Sequence, residues 1–216
     1  MALKLVIGNK NYSSWSFRAW LAMKGAGISF EEHLIPLDQS ETHAAIRKYS
    51  PAGLVPVLID GDVRVWETLA IFEYLADKFP EMALWPSDLK ARAHARTIAA
   101  EMHAGFAPLR KHCPMNVRRT PKAVPMPAEV VANAKRIDAL WVDCRARFGM
   151  GGPFLFGPFS AADAMYAPVV SRFEVYQIDV SAPARAYMDA VRALSAWKEW
   201  KDAAAKEPWI IPEEEV

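Results

Sequence analysis

The chain has 216 residues, 52% hydrophobic and 24% charged, with 26 Lys and Arg against 25 Asp and Glu. This balance describes a folded globular protein of one large or two small units, argues against an extended disordered chain, and gives no electrostatic reason to expect a nucleic-acid partner. Cys113 and Cys144 are far apart and the 5 histidines form no His-x-x-x-His pair, so neither a disulfide framework nor a metal site is expected. No apolar run approaches the roughly 20 residues that span a bilayer, so no membrane association is expected. The opening Met-Ala-Leu-Lys-Leu-Val-Ile-Gly is too short for a signal peptide, which makes the cytoplasm the expected location.

Leu3 to Ile7 reads as a short apolar strand, followed by a polar loop. Phe17, Trp20, Leu21 and Lys24 then recur at helical spacing, and Gly25 with Gly27 supplies the stop signal. Ile28 to Pro36 predicts a second strand, and Glu41 to Tyr49 a short helix or irregular segment. Val55 to Ile59 and Val63 to Trp66 predict two strands joined at Asp60-Gly61-Asp62, a strong hairpin signal. Leu69, Phe72, Leu75, Ala76 and Phe79 mark one face of the next helix. A parallel pair with a crossover helix, then a hairpin and a last helix, suits an α/β unit of thioredoxin-like fold with a mixed sheet.

Pro80 to Pro86 reads as a linker, because its prolines interrupt a helical pattern. The expected division is an α/β unit over 1–81, a linker over 82–87 and an all-helical unit over 88–216. Helices are expected at about 88–112, 127–147, 160–174, 183–193 and 195–205. The four prolines of the stretch from Cys113 to Pro127 mark a loop, in which Arg118, Arg119 and Lys122 read as a solvated cluster. Ser160-Ala-Ala-Asp163 has the form of a helix capping box.

Two features point to a small-molecule site. Pro56 precedes a short strand and can hold a cis peptide, which would leave the N–H and C=O of Val55 free to pair with an extended ligand. Glu67 and Thr68 would stand at a helix N-terminus, where backbone N–H groups favour an anion and the carboxylate could hold an amine. An amino acid or short peptide has both charges. The plainer alternative is that Pro56 protects an edge and Thr68 caps a helix.

Tyr12-Ser-Ser-Trp-Ser-Phe-Arg18, Gly53-Leu-Val-Pro56, Glu67-Thr-Leu-Ala-Ile71 and Phe154-Leu-Phe-Gly-Pro-Phe-Ser-Ala-Ala-Asp163 occur in this order. In that order they resemble the cytosolic glutathione S-transferases of serine type. The first is similar to the Ser-Ser-Cys-Ser-Trp-Arg signature of the zeta class. The resemblance covers the whole chain and implies glutathione as co-substrate, a C2 homodimer, and conjugation of the thiol to small apolar electrophiles. It also leaves open a cis-trans isomerase of the maleylacetoacetate type, or a carrier of the same fold without turnover.

What the resemblance implies for individual residues is specific. Matching Arg18 selects Ser13 as the hydroxyl that holds the thiolate, with Ser14 as runner-up and Tyr12 as the remaining alternative. Val55 would pair with the cysteinyl unit, Glu67 and Thr68 with the γ-glutamyl end, and Lys10, Gln39 or Lys48 with the glycyl carboxylate. Tyr12, Trp15, His103, Phe106, Arg110 and Met115 would line the electrophile pocket. Arg172 falls where zeta-like enzymes place an arginine near their substrate. Arg18 could add positive potential near the thiolate, and a salt bridge on its helix is the favoured role. Trp15 replaces the zeta-class cysteine, which puts maleylacetoacetate isomerisation in doubt.

Overall fold

The structure, a computed structural model, describes residues 2–216. Its first half-sheet begins with β1 (Leu3–Ile7), which pairs in parallel with β2 (Phe30–Leu34) after the helix α1 (Ser14–Gly25). The short helix α2 (Thr42–Arg47) leads to an antiparallel hairpin of β3 (Val57–Asp60) and β4 (Val63–Trp66), and α3 (Thr68–Lys78) follows. The strand order is β2-β1-β3-β4, with β1 and β3 antiparallel. This is the thioredoxin-like arrangement expected from the order of elements.

The alternation of side chains along β1 divides the unit into two layers. Leu3, Leu5 and Ile7 join the main core beneath α1 and α3, whereas Val6 joins Ile35, Ile46 and Val57 on the other face, beneath α2. β2 is shorter than expected, as is β3, which starts after Pro56 because a proline has no N–H to give to the ladder. The Val55–Pro56 peptide is cis.

Helices α4 (Leu89–Ala104), α5 (Ala107–His112), α6 (Ala128–Phe148), α7 (Ala161–Val175), α8 (Ala182–Ala193) and α9 (Ser195–Ala204) form the remainder. The single helix expected over 88–112 is two: Gly105 ends α4, Phe106 turns with a φ of 57°, and Pro108 opens α5. Pro80 to Pro86 is not a free linker either. It holds a 3-10 turn, and buried Leu84 and Trp85 dock it onto the helices, where the Leu84 carbonyl accepts the Ala161 N–H. The basic cluster at Arg118 and Arg119 is likewise not merely solvated, for both side chains donate to carbonyls of the C-terminal segment.

α7 is buried almost all round, with α1, α4 and α8 packed on it. Its capping box forms as expected: the Ser160 N–H and hydroxyl both donate to Asp163 Oδ2, at 2.8 and 2.9 Å, and the Leu155 N–H donates to Oδ1 at 3.0 Å. The box therefore fixes both the start of α7 and the turn before it. A carboxylate this deeply buried is costly, and burial pushes Asp163 up to about 6 despite those donors.

Replacing Asp163 with Ala leaves two buried N–H groups unpaired, and a loss of about 3–4 kcal/mol in urea unfolding at pH 7 is expected. The folded value near 6 lies above the ordinary 3.8, so the Asp163 contribution to stability is greatest below pH 4 and falls as pH rises through 6. Asp163→Asn, which does not titrate, is expected to lack that part of the stability profile.

Candidate active site

Two adjoining cavities open where the N-termini of α1 and α3 meet the cis turn at Val55–Pro56. The smaller, about 240 Å³, is lined by Trp15, Leu54, Val55, Pro56, Glu67, Thr68 and His103. The larger, about 370 Å³, takes in Tyr12, Ser13, Ser14, Arg110, Arg172 and Glu214, and shares Trp15, Leu54 and Val55 with its neighbour. Most of the residues singled out in the sequence thus meet in one place, although they are spread over more than 150 positions.

At the α3 end, Glu67 has a φ of 68°, a region that side-chain-bearing residues seldom occupy, and its own carboxylate does not cap the helix. The carboxylate instead lies 3.6 Å from His103 Nε2. Thr68 is buried, and its hydroxyl has no partner. An unpaired buried hydroxyl costs on the order of 1–3 kcal/mol unless something completes it, and here the cavity lies beside it. Val55 makes no hydrogen bond through its N–H or C=O among the described residues, so an extended ligand has a donor and an acceptor available.

At the α1 end, Ser13 is the N-cap: its oxygen accepts the Ser16 N–H at 3.4 Å, and the two hydroxyls meet at 2.7 Å. Ser16 Oγ in turn accepts the Gly8 N–H. Ser14 makes no side-chain hydrogen bond among the described residues. The Tyr12 hydroxyl is engaged by other groups, donating to Glu215 at 2.5 Å and accepting from Arg118 at 3.1 Å.

Three arginines surround this end. Arg18 is fully buried, donates to the carbonyls of Met165 and Ser14 at 2.8 and 3.2 Å, and stacks 4.4 Å from the centre of the Trp15 ring. It makes no salt bridge among the described residues, contrary to the expectation for its helix. Burial, then Arg172 and Arg110, hold its guanidinium well below the ordinary arginine range. Arg172 donates Nε–H to the Cys113 carbonyl at 2.7 Å, while its Nη1 is buried without a partner. Burial pushes Arg172 down to about 10, and Glu214 offsets part of that shift. Arg110 is half-buried and spends Nη1 on the carbonyls of Met102 and Gly105. None of the three has a carboxylate within 4 Å among the described residues.

Other expected members lie elsewhere. Lys10 is buried, with Nζ 2.8 Å from Glu32 and packed between the rings of Trp20 and Trp200, so it is unavailable to a glycyl carboxylate. Gln39 folds back on the carbonyls of Leu37 and Asp38, and Lys48 is exposed outside the cavity lining. Phe106, on the α4–α5 turn, and Met115, in the loop after α5, both belong to the core. Glu214 and Leu54 were not picked out from the sequence. Leu54 lies inside a motif that was, but a glutamate near the end of an acidic run carries no signal that it returns to a cavity.

Family models described as the N-terminal and C-terminal domains of glutathione S-transferase match residues 12–78 and 90–203. Glutathione S-transferase Z2 of Arabidopsis thaliana is 27% identical over 190 residues, covering 82% of this chain and 84% of that one. A probable maleylacetoacetate isomerase of Caenorhabditis elegans is 37% identical over 97 residues, 44% of each chain. A bacterial maleyl pyruvate isomerase, a zeta-class glutathione S-transferase solved in its holo form, superposes with a TM-score of 0.67 at 26% identity, over 95% of this chain and 98% of that one. A glutathione transferase homologue from Burkholderia, solved with bound glutathione, superposes at 0.73 with 19% identity, over 96% and 100%.

The two cysteines take no part in this site. Burial pushes the Cys113 thiol up to about 11 and the Cys144 thiol up to about 12. Neither is expected to react measurably with a disulfide reagent at pH 8 in the folded protein, with rates about two orders of magnitude below a free thiol and full reaction only in denaturant.

Proposed function

The chain belongs to the glutathione S-transferase family, and from that premise we propose that it binds glutathione across the two cavities and transfers its thiolate to a small apolar electrophile. The observation that carries this reading is the alignment of two unpaired groups, the buried Thr68 hydroxyl and the backbone of Val55, with the serine hydroxyls at the start of α1 along one path. The γ-glutamyl end has both charges it needs. Its carboxylate meets Thr68 and the α3 N-terminus, and its amine meets Glu67. None of Lys10, Gln39 and Lys48 stands at the opposite end, so His43 and Arg47, which lie beside Gly53, take the place proposed for the glycyl carboxylate.

A thiol with a pKa of about 8.5 is mostly protonated at pH 7, and lowering it by two units takes about 2.7 kcal/mol of preference for the anion. Ser13 can supply much of this without losing its cap. At 2.7 Å either hydroxyl of the Ser13–Ser16 pair can be the donor. When Ser16 donates, the Ser13 proton is free to point at sulfur while its oxygen still accepts the Ser16 N–H. The three arginines add positive potential. The thiol proton goes to water, the thiolate forms a bond to the electrophilic carbon, and the leaving group departs with its electron pair.

Isomerisation is the second reading. The unpaired Nη1 of Arg172 suits a carboxylated diene, to which the thiolate adds, permitting rotation before the same carbon–sulfur bond breaks. A carrier without turnover is less well supported, because it needs no hydroxyl placed for a thiolate. The proposed division assigns glutathione to residues 1–81, the electrophile pocket to 88–216 and the connection to 82–87. A cytoplasmic homodimer serving detoxification completes the proposal, and exposed Val63, Trp66, Met82 and Leu89 offer apolar surface for the dimer contact.

The deciding measurement is the ultraviolet thiolate difference spectrum with glutathione from pH 5 to 9. A bound thiol about two units below the free value is expected, rising by one to two units in Ser13→Ala. A value unmoved in Ser13→Ala and raised in Ser14→Ala reassigns the donor to Ser14, and no depression in the parent chain removes the transferase reading.

A further inference from the structure

The last ten residues return to the site. Glu207 is buried and accepts the N–H groups of Lys10 and Asn11 at 2.7 and 3.0 Å, which anchors the segment beside the loop that precedes α1. Arg118 donates to the carbonyls of Glu207 and Trp209, Arg119 donates to that of Val216, and the Tyr12 hydroxyl donates to Glu215. Between these clamps a 3-10 turn over Pro212–Glu214 reverses the chain. Of the three consecutive acids, Glu213 and Glu215 are exposed, whereas Glu214 is half-buried and lines the larger cavity with Arg110 and Arg172.

Glu214 and Arg172 are not in salt-bridge contact, yet each is the other's leading electrostatic partner of opposite sign. Arg172 keeps Nη1 unpaired. The cavity therefore holds a carboxyl group, pushed up by burial and drawn back down by Arg172, and an incompletely satisfied guanidinium facing the same space. A ligand carboxylate entering there gains Arg172 and Arg110 but is repelled by Glu214, whereas a neutral ligand of the same shape meets neither effect.

We infer that Glu214 determines the charge selectivity of the electrophile cavity, offsetting the arginines internally and so weakening the binding of carboxylated electrophiles relative to neutral ones. The inference rests on the electrophile binding at the end of the larger cavity that Arg110, Arg172 and Glu214 line, next to the proposed glutathione thiolate. It makes the C-terminal segment a specificity element, joined to the site through the backbone clamps of Arg118 and Arg119.

The test is equilibrium binding, which needs no turnover. The quench of tryptophan fluorescence gives dissociation constants for 3,5-dinitrobenzoate and for neutral 1,3-dinitrobenzene, in the full chain with saturating glutathione and again without it. Glu214→Gln is expected to shift the ratio of the two constants about tenfold towards the benzoate, as removal of one unit charge across a partly hydrated cavity implies, and the shift shrinks at 0.5 M salt. Glu213→Gln removes the same charge from exposed surface and is expected to move the ratio by less than twofold. A chain truncated after Ile211 is expected to shift the ratio in the same sense as Glu214→Gln. A ratio unchanged in Glu214→Gln, an equal gain for both ligands, or no binding of either overturns the inference. Absence of glutathione binding in the same titration overturns the transferase reading instead, and the ratio measured without glutathione still decides the role of Glu214.

Discussion

The site depends on how α1 is held against α7. Arg18 crosses that interface, fully buried, with its Nε–H on the Met165 carbonyl of α7 and its Nη1–H on the Ser14 carbonyl at the start of its own helix. One side chain therefore ties the helical part to the residue beside the proposed thiolate donor. A guanidinium without a carboxylate in the interior is expensive, and carbonyl dipoles with the face of Trp15 offset only part of the cost. The remaining positive potential is directed to the neighbourhood of the serines. The other face of α1 stacks Phe17 on Trp200 of α9, so the helix has little freedom to shift.

α7 transmits the same constraint in the other direction. Its Asp163 box fixes where the helix begins, and Arg172 near its far end reaches the larger cavity after giving one N–H to the Cys113 carbonyl. Arg18 and Arg172 are consequently held from the same helix: one as a tether, the other as a wall of the cavity. Because both are buried, the charge balance there is decided by the few groups that reach in, which are Arg110, Glu214 and whatever ligand is bound.

The half of the candidate site formed by the cis turn and the helix starts was largely legible in the sequence because each of its parts has a local cause. Pro56 alone permits the cis turn that leaves the Val55 backbone unpaired, and the residues at the start of a helix are marked by its hydrophobic period. The capping box, the hairpin at Asp60-Gly61-Asp62 and the polar loop before α1 were readable for the same reason. Lys10 was misplaced because a charged residue in a polar loop is ordinarily solvated, and only the packing of Trp20 and Trp200 draws it into an ion pair with Glu32. Phe106 lies in the core because Gly105 breaks the helix and the turn that follows carries its side chain inward, whereas Met115 is buried from the loop after α5, which no helical period marks.

The sequence by itself determined the fold class, the family and the local features of the candidate site, a proline turn and two helix starts, since these follow from short motifs, residue period, capping and proline, which act over a few positions. Only the tertiary structure decided the charge balance of the larger cavity. Arg18, Arg110, Arg172 and Glu214 come from four separate segments, and what each one does depends on its distance from the others and on the water excluded around them. No local pattern carries that information, because the strength of a charge in a protein is set by its surroundings.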